Sequence, residues 1–221
     1  MFSTLEHSFD NGWVVKGQYN HQVNGYNAPL GALLDPDVNT GLAPMLARKY
    51  TGEYVSDSGD LFASGPFSLL GREHQLVIGG SVAKSHWTGK DYTNAKMVDN
   101  AYDYYNWDGD SLEPDWGNVT SYNDETTRQT GTYMTGRFSL TDDLTLMLGT
   151  RVADYTLTGT SHAKDTGKVL PYAGVIYDIN ENISAYASYT EIFLPQSYYR
   201  DRDNKMLEPD EGTNYELGLK G

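Results

Sequence analysis

The chain has 221 residues with 30 acidic and 16 basic side chains, a formal net charge of −14, no cysteine, 23 glycines and 18 tyrosines. That length can bury a core as one large domain or as part of something larger. The charge leaves no basic patch for nucleic acid, and the missing cysteines exclude disulfides, thiolate metal sites and a cysteine nucleophile.

No helical membrane span is predicted. The longest nearly apolar stretch, about residues 170–177, is far short of the roughly 18 residues that a spanning helix needs. The first residues lack the basic-then-apolar pattern of a secretory signal. Abundant tyrosine and glycine with ordinary hydropathy nevertheless suit a transmembrane β-barrel, whose strands alternate between lipid and lumen.

Alternation predicts nine strands, near residues 2–9, 13–21, 50–64, 75–87, 126–139, 144–157, 168–179, 183–193 and 211–220. Thr132, Met134, Gly136, Phe138 and Leu140 share one face of the fifth, with Tyr133, Thr135, Arg137 and Ser139 opposite. In the sixth, Leu144, Leu146, Leu148 and Val152 oppose Thr145, Met147, Gly149 and Arg151. A period of two with β-branched and aromatic enrichment is a strand signal, and no window holds a helical period. Short polar turns fall at residues 10–12 (Asp-Asn-Gly), 68–73, 141–143 (Thr-Asp-Asp) and 180–182 (Asn-Glu-Asn), as hairpins require. Longer aromatic and polar segments, residues 22–48, 88–125, 158–167 and 194–210, alternate with them. This predicts an all-β fold: a partial antiparallel up-and-down barrel with short periplasmic turns and long extracellular loops. Nine is odd, bacterial barrels have even strand counts, and the last residues read as strand, so the chain is expected to be part of a larger barrel.

Three segments carry a resemblance. Residues 60–80 (Asp-Leu-Phe-Ala-Ser-Gly-Pro-Phe-Ser-Leu-Leu-Gly-Arg-Glu-His, then Gln-Leu-Val-Ile-Gly-Gly) resemble a strand–turn–strand of TonB-dependent ferric-siderophore receptors. Residues 169–178 and 182–196, followed by Glu208-Pro and by residues 212–221 (Gly-Thr-Asn-Tyr-Glu-Leu-Gly-Leu-Lys-Gly), are similar to barrel segments of that family, nearest its ferripyoverdine and hydroxamate branch. The resemblance implies that residues 1–221 are part of the barrel domain, without the plug, the TonB box or the final strand. It also implies uptake of a ferric siderophore across the outer membrane of a Gram-negative bacterium. The implied partners are the siderophore, outer-membrane lipid and lipopolysaccharide, and the TonB complex through a region outside these residues. A soluble aromatic-rich glycan-binding module or a passive porin-like barrel is the alternative.

Arg137 and Arg151 fall on the polar faces of neighbouring strands and are expected in the lumen. They would either form an electropositive wall for an anionic ferrisiderophore or pair with carboxylates of a plug or of adjacent strands. Tyr102, Tyr104, Tyr105, Trp107 and Trp116 make an aromatic loop that would either anchor a ligand or pack on itself or at the headgroup girdle. Tyr198, Tyr199, Arg200 and Arg202 form a second patch open to the same two readings. Asp201-Arg-Asp-Asn204 and Asp108-Gly-Asp110 lack the glycine and glutamate spacing of a calcium loop. The five histidines show no zinc spacing. No catalytic constellation, cofactor site or metal site is expected.

Overall fold

The computed structural model of the chain describes residues 1–94 and 98–221, and the side chains of 93–101 fall outside the description. Among the described residues there are ten strands: β1 (Phe2–Ser8), β2 (Val14–Leu33), β3 (Leu42–Leu69), β4 (Arg72–Asn94), β5 (Val98–Asp103), β6 (Trp116–Ser139), β7 (Leu144–Gly159), β8 (Ala163–Asn180), β9 (Ile183–Leu194) and β10 (Asp210–Lys220). They form one sheet in the order β1-β2-β3-β4-β6-β7-β8-β9-β10, with β5 paired to β3 off that path. Sequence neighbours are thus spatial neighbours, as in an up-and-down meander. β1 and β10 stand at opposite ends of this order and the sheet is not closed.

The short turns lie where the sequence puts them, and the long segments differ. β2 runs on to Leu33 and β3 begins at Leu42, so most of residues 22–48 is strand rather than loop. β7 and β8 leave only residues 160–162 between them in place of the loop expected over 158–167. The tenth strand is β5, inside the segment read as loop over 88–125; residues 95–97 of that segment lie outside the described residues. Its cause is a long-range seat: Ala43, Met45 and Ala47 alternate and are 0–2% exposed, and β5 pairs Tyr102 with Ala43 and Val98 with Met45. β4 also runs to Asn94 and β6 begins at Trp116, so among the described residues 104–115 and 195–209 remain as long connections, the second tightened by an Arg200–Met206 bridge.

By packing, the chain divides into two compact units. One comprises Met1–Gln22, Ser56–Ser85 and Thr126–Gly221, the other Val23–Val55 and His86–Glu125. In the first unit the register sorts side chains into two faces, because residues directly opposite across a ladder share a face. Leu144, Leu146, Leu148 and Val152 stand opposite Tyr177, Val175, Ala173 and Val169. Ala173, Val175 and Tyr177 in turn oppose Tyr189, Ala187 and Ala185 of β9, which oppose Tyr215, Leu217 and Leu219 of β10. This apolar face is open, with Leu217 84% and Leu219 72% exposed. The reverse face carries Thr145, Arg151, Tyr172, Ser188, Asn214 and Glu216. An apolar wall of this extent on one side of a sheet is a surface for a non-aqueous partner.

Rings lying across glycines lock the polar face. Tyr172 stands opposite Gly149 and its hydroxyl meets the Thr135 hydroxyl. Tyr186 stands opposite Gly218, where a Cβ would come within 2.5 Å of its hydroxyl, and bonds Glu216 at 2.8 Å. Tyr133 crosses Gly79 and donates to the Asp60 carboxylate at 3.0 Å. The register therefore depends on small residues beneath each ring.

Candidate ligand-binding surface

In the second unit, β5 leads into a turn built by Asp103. Its carboxylate accepts the backbone N–H groups of Tyr105 at 3.1 Å and Asn106 at 3.3 Å, and the Asn106 amide at 2.7 Å. The Asn106 amide, with those N–H groups, holds the Asp103 carboxyl below its ordinary 3.8 because hydrogen bonds to the charged form favour it. Asp37 does the same in the β2–β3 turn, held low by the N–H groups of Asn39 and Thr40 at 2.8 and 3.0 Å. The left-handed Gly41 (φ 69°) closes that turn, and the Tyr105 ring lies 3.4 Å from where a Cβ would sit.

The aromatic residues divide into two groups. Tyr102 packs on Trp107 with ring centroids 6.4 Å apart, and the Trp107 indole N–H donates to the Asp110 carbonyl at 2.7 Å. The Trp116 indole N–H donates to Glu113 at 2.6 Å, and the Lys49 ammonium lies 5.9 Å from that ring and 5.7 Å from Tyr92. These three rings pack within the unit, although the Tyr102 hydroxyl is buried without a hydrogen-bond partner among the described residues. Tyr104 and Tyr105 instead meet edge to face at 5.6 Å and stand 45% and 76% exposed.

In the first unit, Arg151 lies on the polar face. Its Nη2 donates to the Ser81 hydroxyl at 3.4 Å, and its Nε sits 2.8 Å from where a Cβ on Gly131 would be. The ion pairs among the described residues, such as Lys16–Glu6 and Lys168–Glu211, include neither Arg151 nor Arg137. Arg137 is exposed and, by strand alternation from Tyr133 and Thr135, shares the face of Arg151. A pocket of about 300 Å³ is lined by Gln129, Arg151, Tyr155, Leu170, Ile192 and Pro195.

That pocket joins Arg151 to the root of the 195–209 connection. The buried Ser197 hydroxyl donates to the Tyr155 hydroxyl at 3.0 Å, and Gln196 bonds the Glu208 carbonyl at 2.9 Å and Asp210 at 2.7 Å. From this base Tyr198 and Tyr199 project 64% and 65% exposed, while Arg200 donates to the His162 carbonyl at 3.1 Å. Arg202 is an exposed residue of the same connection. The structure thus brings Arg151 and the base of the Tyr198–Arg200 patch together, and adds Tyr155 and Gln129, which sequence reasoning missed. Residue types on a strand do not reveal what a neighbouring loop lays across them. Asp201 and Asp108 spend their carboxylates on local N–H groups, of Asp203 and Lys205 at 2.8 Å and of Asp110 at 3.0 Å.

Comparison with known proteins accords with this architecture. A family model described as "TonB dependent receptor-like, beta-barrel" matches residues 2–221. The chain is 54% identical over its whole length to the ferripyoverdine receptor of Pseudomonas aeruginosa, of which it covers 28%. Identity to the ferric-pyoverdine BN7/BN8 receptor of Pseudomonas putida is 37%, again over the whole chain and 29% of the relative. The crystal structure of the outer-membrane ferripyoverdine receptor of P. aeruginosa bound to ferripyoverdine superposes with a TM-score of 0.93 at 54% identity, covering 99% of this chain and 30% of that one. The chain thus spans under a third of the length of these relatives, and it belongs to the TonB-dependent receptor-like β-barrel family.

Proposed function

We propose that the whole protein is an outer-membrane receptor for TonB-dependent uptake of a ferric siderophore of the pyoverdine type. The carrying observation is the end-to-end match at 54% identity to a ferripyoverdine receptor. The two-faced sheet supports the membrane reading: an open apolar wall suits lipid, and the tyrosine- and arginine-bearing face suits a polar lumen. In this reading Arg137 and Arg151 offer positive charge to an anionic chelate in a protein of net charge −14, and the exposed Tyr104, Tyr105, Tyr198 and Tyr199 contact it from the loops. Tyr102, Trp107 and Trp116 shape the hairpin behind Tyr104 and Tyr105. The TonB complex energises transport, and membrane lipid and lipopolysaccharide surround the barrel. Family membership is that of receptors rather than enzymes, and no specific observation favours a soluble glycan-binding module or a passive porin-like barrel.

Iron-limited growth tests the assignment. A receptor-null strain carrying the intact gene is expected to grow on a ferripyoverdine from a panel of ferrisiderophores, and only while TonB is present. Rescue by a cobalamin alone, or rescue independent of TonB, overturns it.

A further inference from the structure

The 195–209 connection is an arm hung from one short stretch. Beyond its root it folds back on itself: the Leu207 N–H donates to the Tyr199 carbonyl at 3.2 Å and the Asp201 N–H to the Lys205 carbonyl at 2.8 Å. Arg200 and Met206 form a bridge between these bonds, and Asn204 turns the chain with a left-handed backbone (φ 60°). The arm leaves β9 through Pro195, Gln196 and Ser197. Pro195 has a fixed φ and lines the pocket that holds Arg151. Gln196 ties the two ends of the connection together through the Glu208 carbonyl and Asp210. Ser197, 4% exposed, reaches β7 itself, where its hydroxyl bonds that of Tyr155, four residues beyond Arg151.

Tyr155 also lines the Arg151 pocket, so one side chain both walls the pocket and pins the arm. Directly after the pin come Tyr198 and Tyr199, 64% and 65% exposed. Pocket, pin and exposed rings therefore follow one another along the chain within five residues of β9. A hydroxyl pair of this kind is sensitive in one direction. Removing one partner leaves the other buried without a hydrogen bond, which costs more than the bond contributes, whereas removing both is nearly neutral. A ligand that meets an arm already in place does not have to order it on binding, and ordering lowers affinity.

We infer that Tyr155 is a positioning residue for ligand capture: by holding Ser197 it sets the Tyr198 and Tyr199 rings in a fixed place relative to Arg151. The inference rests on the transport reading above, in which both groups meet the ferric chelate. Tyr155→Phe keeps the ring and the pocket wall but leaves the Ser197 hydroxyl buried without a partner, which drives the arm off β7. Ligand then associates only with the fraction of receptor whose arm is in place, and the observed association slows by that fraction while dissociation is unchanged.

Stopped-flow binding of a ferripyoverdine to the intact receptor tests this, with each variant checked for heat-modifiable migration in SDS. Tyr155→Phe is expected to slow association about fivefold or more per folded receptor with dissociation unchanged. Ser197→Ala and the double variant, which bury no unpaired hydroxyl, are expected to fall between it and the wild type, so the second substitution partly rescues the first. In the ligand-free receptor, exchange of the Tyr199 amide, which donates to the Gln196 carbonyl at 3.2 Å, is expected to be faster in Tyr155→Phe. Unchanged association overturns the proposal, as does faster dissociation alone, which would make Tyr155 a ligand contact. If Tyr155→Phe gives no heat-modifiable barrel, Ser197→Ala carries the test, and association equal to wild type there overturns it. A wild-type receptor that binds no ferripyoverdine refutes the transport reading and this role with it. Normal wild-type binding with an unaffected Tyr155→Phe refutes this role alone.

Discussion

Single side chains set the chemistry of the polar face and of the loops. Arg151 bonds the Ser81 hydroxyl and forms no ion pair among the described residues, although Asp154 and Glu191 line the same pocket; in the proposed reading its charge acts on the ligand. In the intact receptor, Arg151→Gln is expected to weaken ferrisiderophore binding by about 1.5–3 kcal/mol, the range of a hydrogen bond to a charged group, and to flatten the dependence of affinity on salt. Titration of binding by isothermal calorimetry at two ionic strengths reads both, and an unchanged affinity assigns Arg151 a structural role alone. Tyr104 and Tyr105 are the exposed rings of their loop, and replacing either by alanine is expected to cost about 1–3 kcal/mol of binding if it anchors the ligand. The Asp103 turn responds to acid. Its carboxyl is held below the ordinary 3.8, so the turn's stabilisation is complete above that value and is lost as pH falls through the lowered one. Amide exchange at Tyr105 and Asn106 is expected to accelerate in that acid window and, in Asp103→Ala, to be fast already at neutral pH.

At the level of elements, the strands depend on which glycines lie under rings. A Cβ on Gly79 would approach Phe62 Cβ and the Tyr133 ring at 2.6 Å, and the first of these is fixed to the backbone. Gly79→Ala is therefore expected to destabilise the barrel by about 1–3 kcal/mol, the usual cost of overpacking, whereas Gly17→Ala, whose Cβ would lie 3.7 Å from Leu61 Cδ1, is tolerated. Heat-modifiability of the intact receptor on SDS gels, read as the temperature of band shift, distinguishes the two. The turns at the other end of the hairpins are joined by exposed charges. Arg72 bonds Asp142 at 2.9 and 3.0 Å, linking the β3–β4 and β6–β7 turns, and such an exposed pair contributes little on its own.

For the whole molecule, the open sheet decides behaviour. Among the described residues β1 pairs only with β2 and β10 only with β9, so each presents an unpaired row of N–H and C=O groups. Each unsatisfied group costs several kcal/mol in hydrocarbon, which is why closed barrels span membranes. In water the exposed Leu217, Leu219 and Tyr215 on the edge strand β10 make it a template for aggregation. These 221 residues expressed alone are expected to aggregate or be degraded, and a monodisperse, protease-resistant monomer in plain buffer would contradict that. Topology is tested in the intact receptor. Cysteine at the 69%-exposed Leu112 or at Tyr198 is expected to react with an impermeant maleimide on whole cells, and cysteine at Asp142 is not. The reverse pattern inverts the orientation.

Local pattern alone determined the fold class. The two-residue period of Leu144, Leu146 and Leu148 against Thr145, Met147 and Gly149 specifies strands and their faces, because side-chain direction follows directly from the backbone. Polar turn residues at 10–12, 141–143 and 180–182 likewise specify hairpins, since the chemistry that reverses a chain is local. Where strands end was a tertiary matter: β2, β3, β7 and β8 run further than their composition suggests, because a polar strand persists while its partner supplies hydrogen bonds. β5 exists because Ala43 and Met45 offer it a small, buried seat. That signal lay in the alternation of Ala43, Met45 and Ala47, masked by the polar residues around it. The candidate residues were legible as types, yet their grouping was not. Pairing of β-strands and docking of the 195–209 connection put Tyr155, Gln129 and Arg151 around one pocket, and only long-range contacts carry that information.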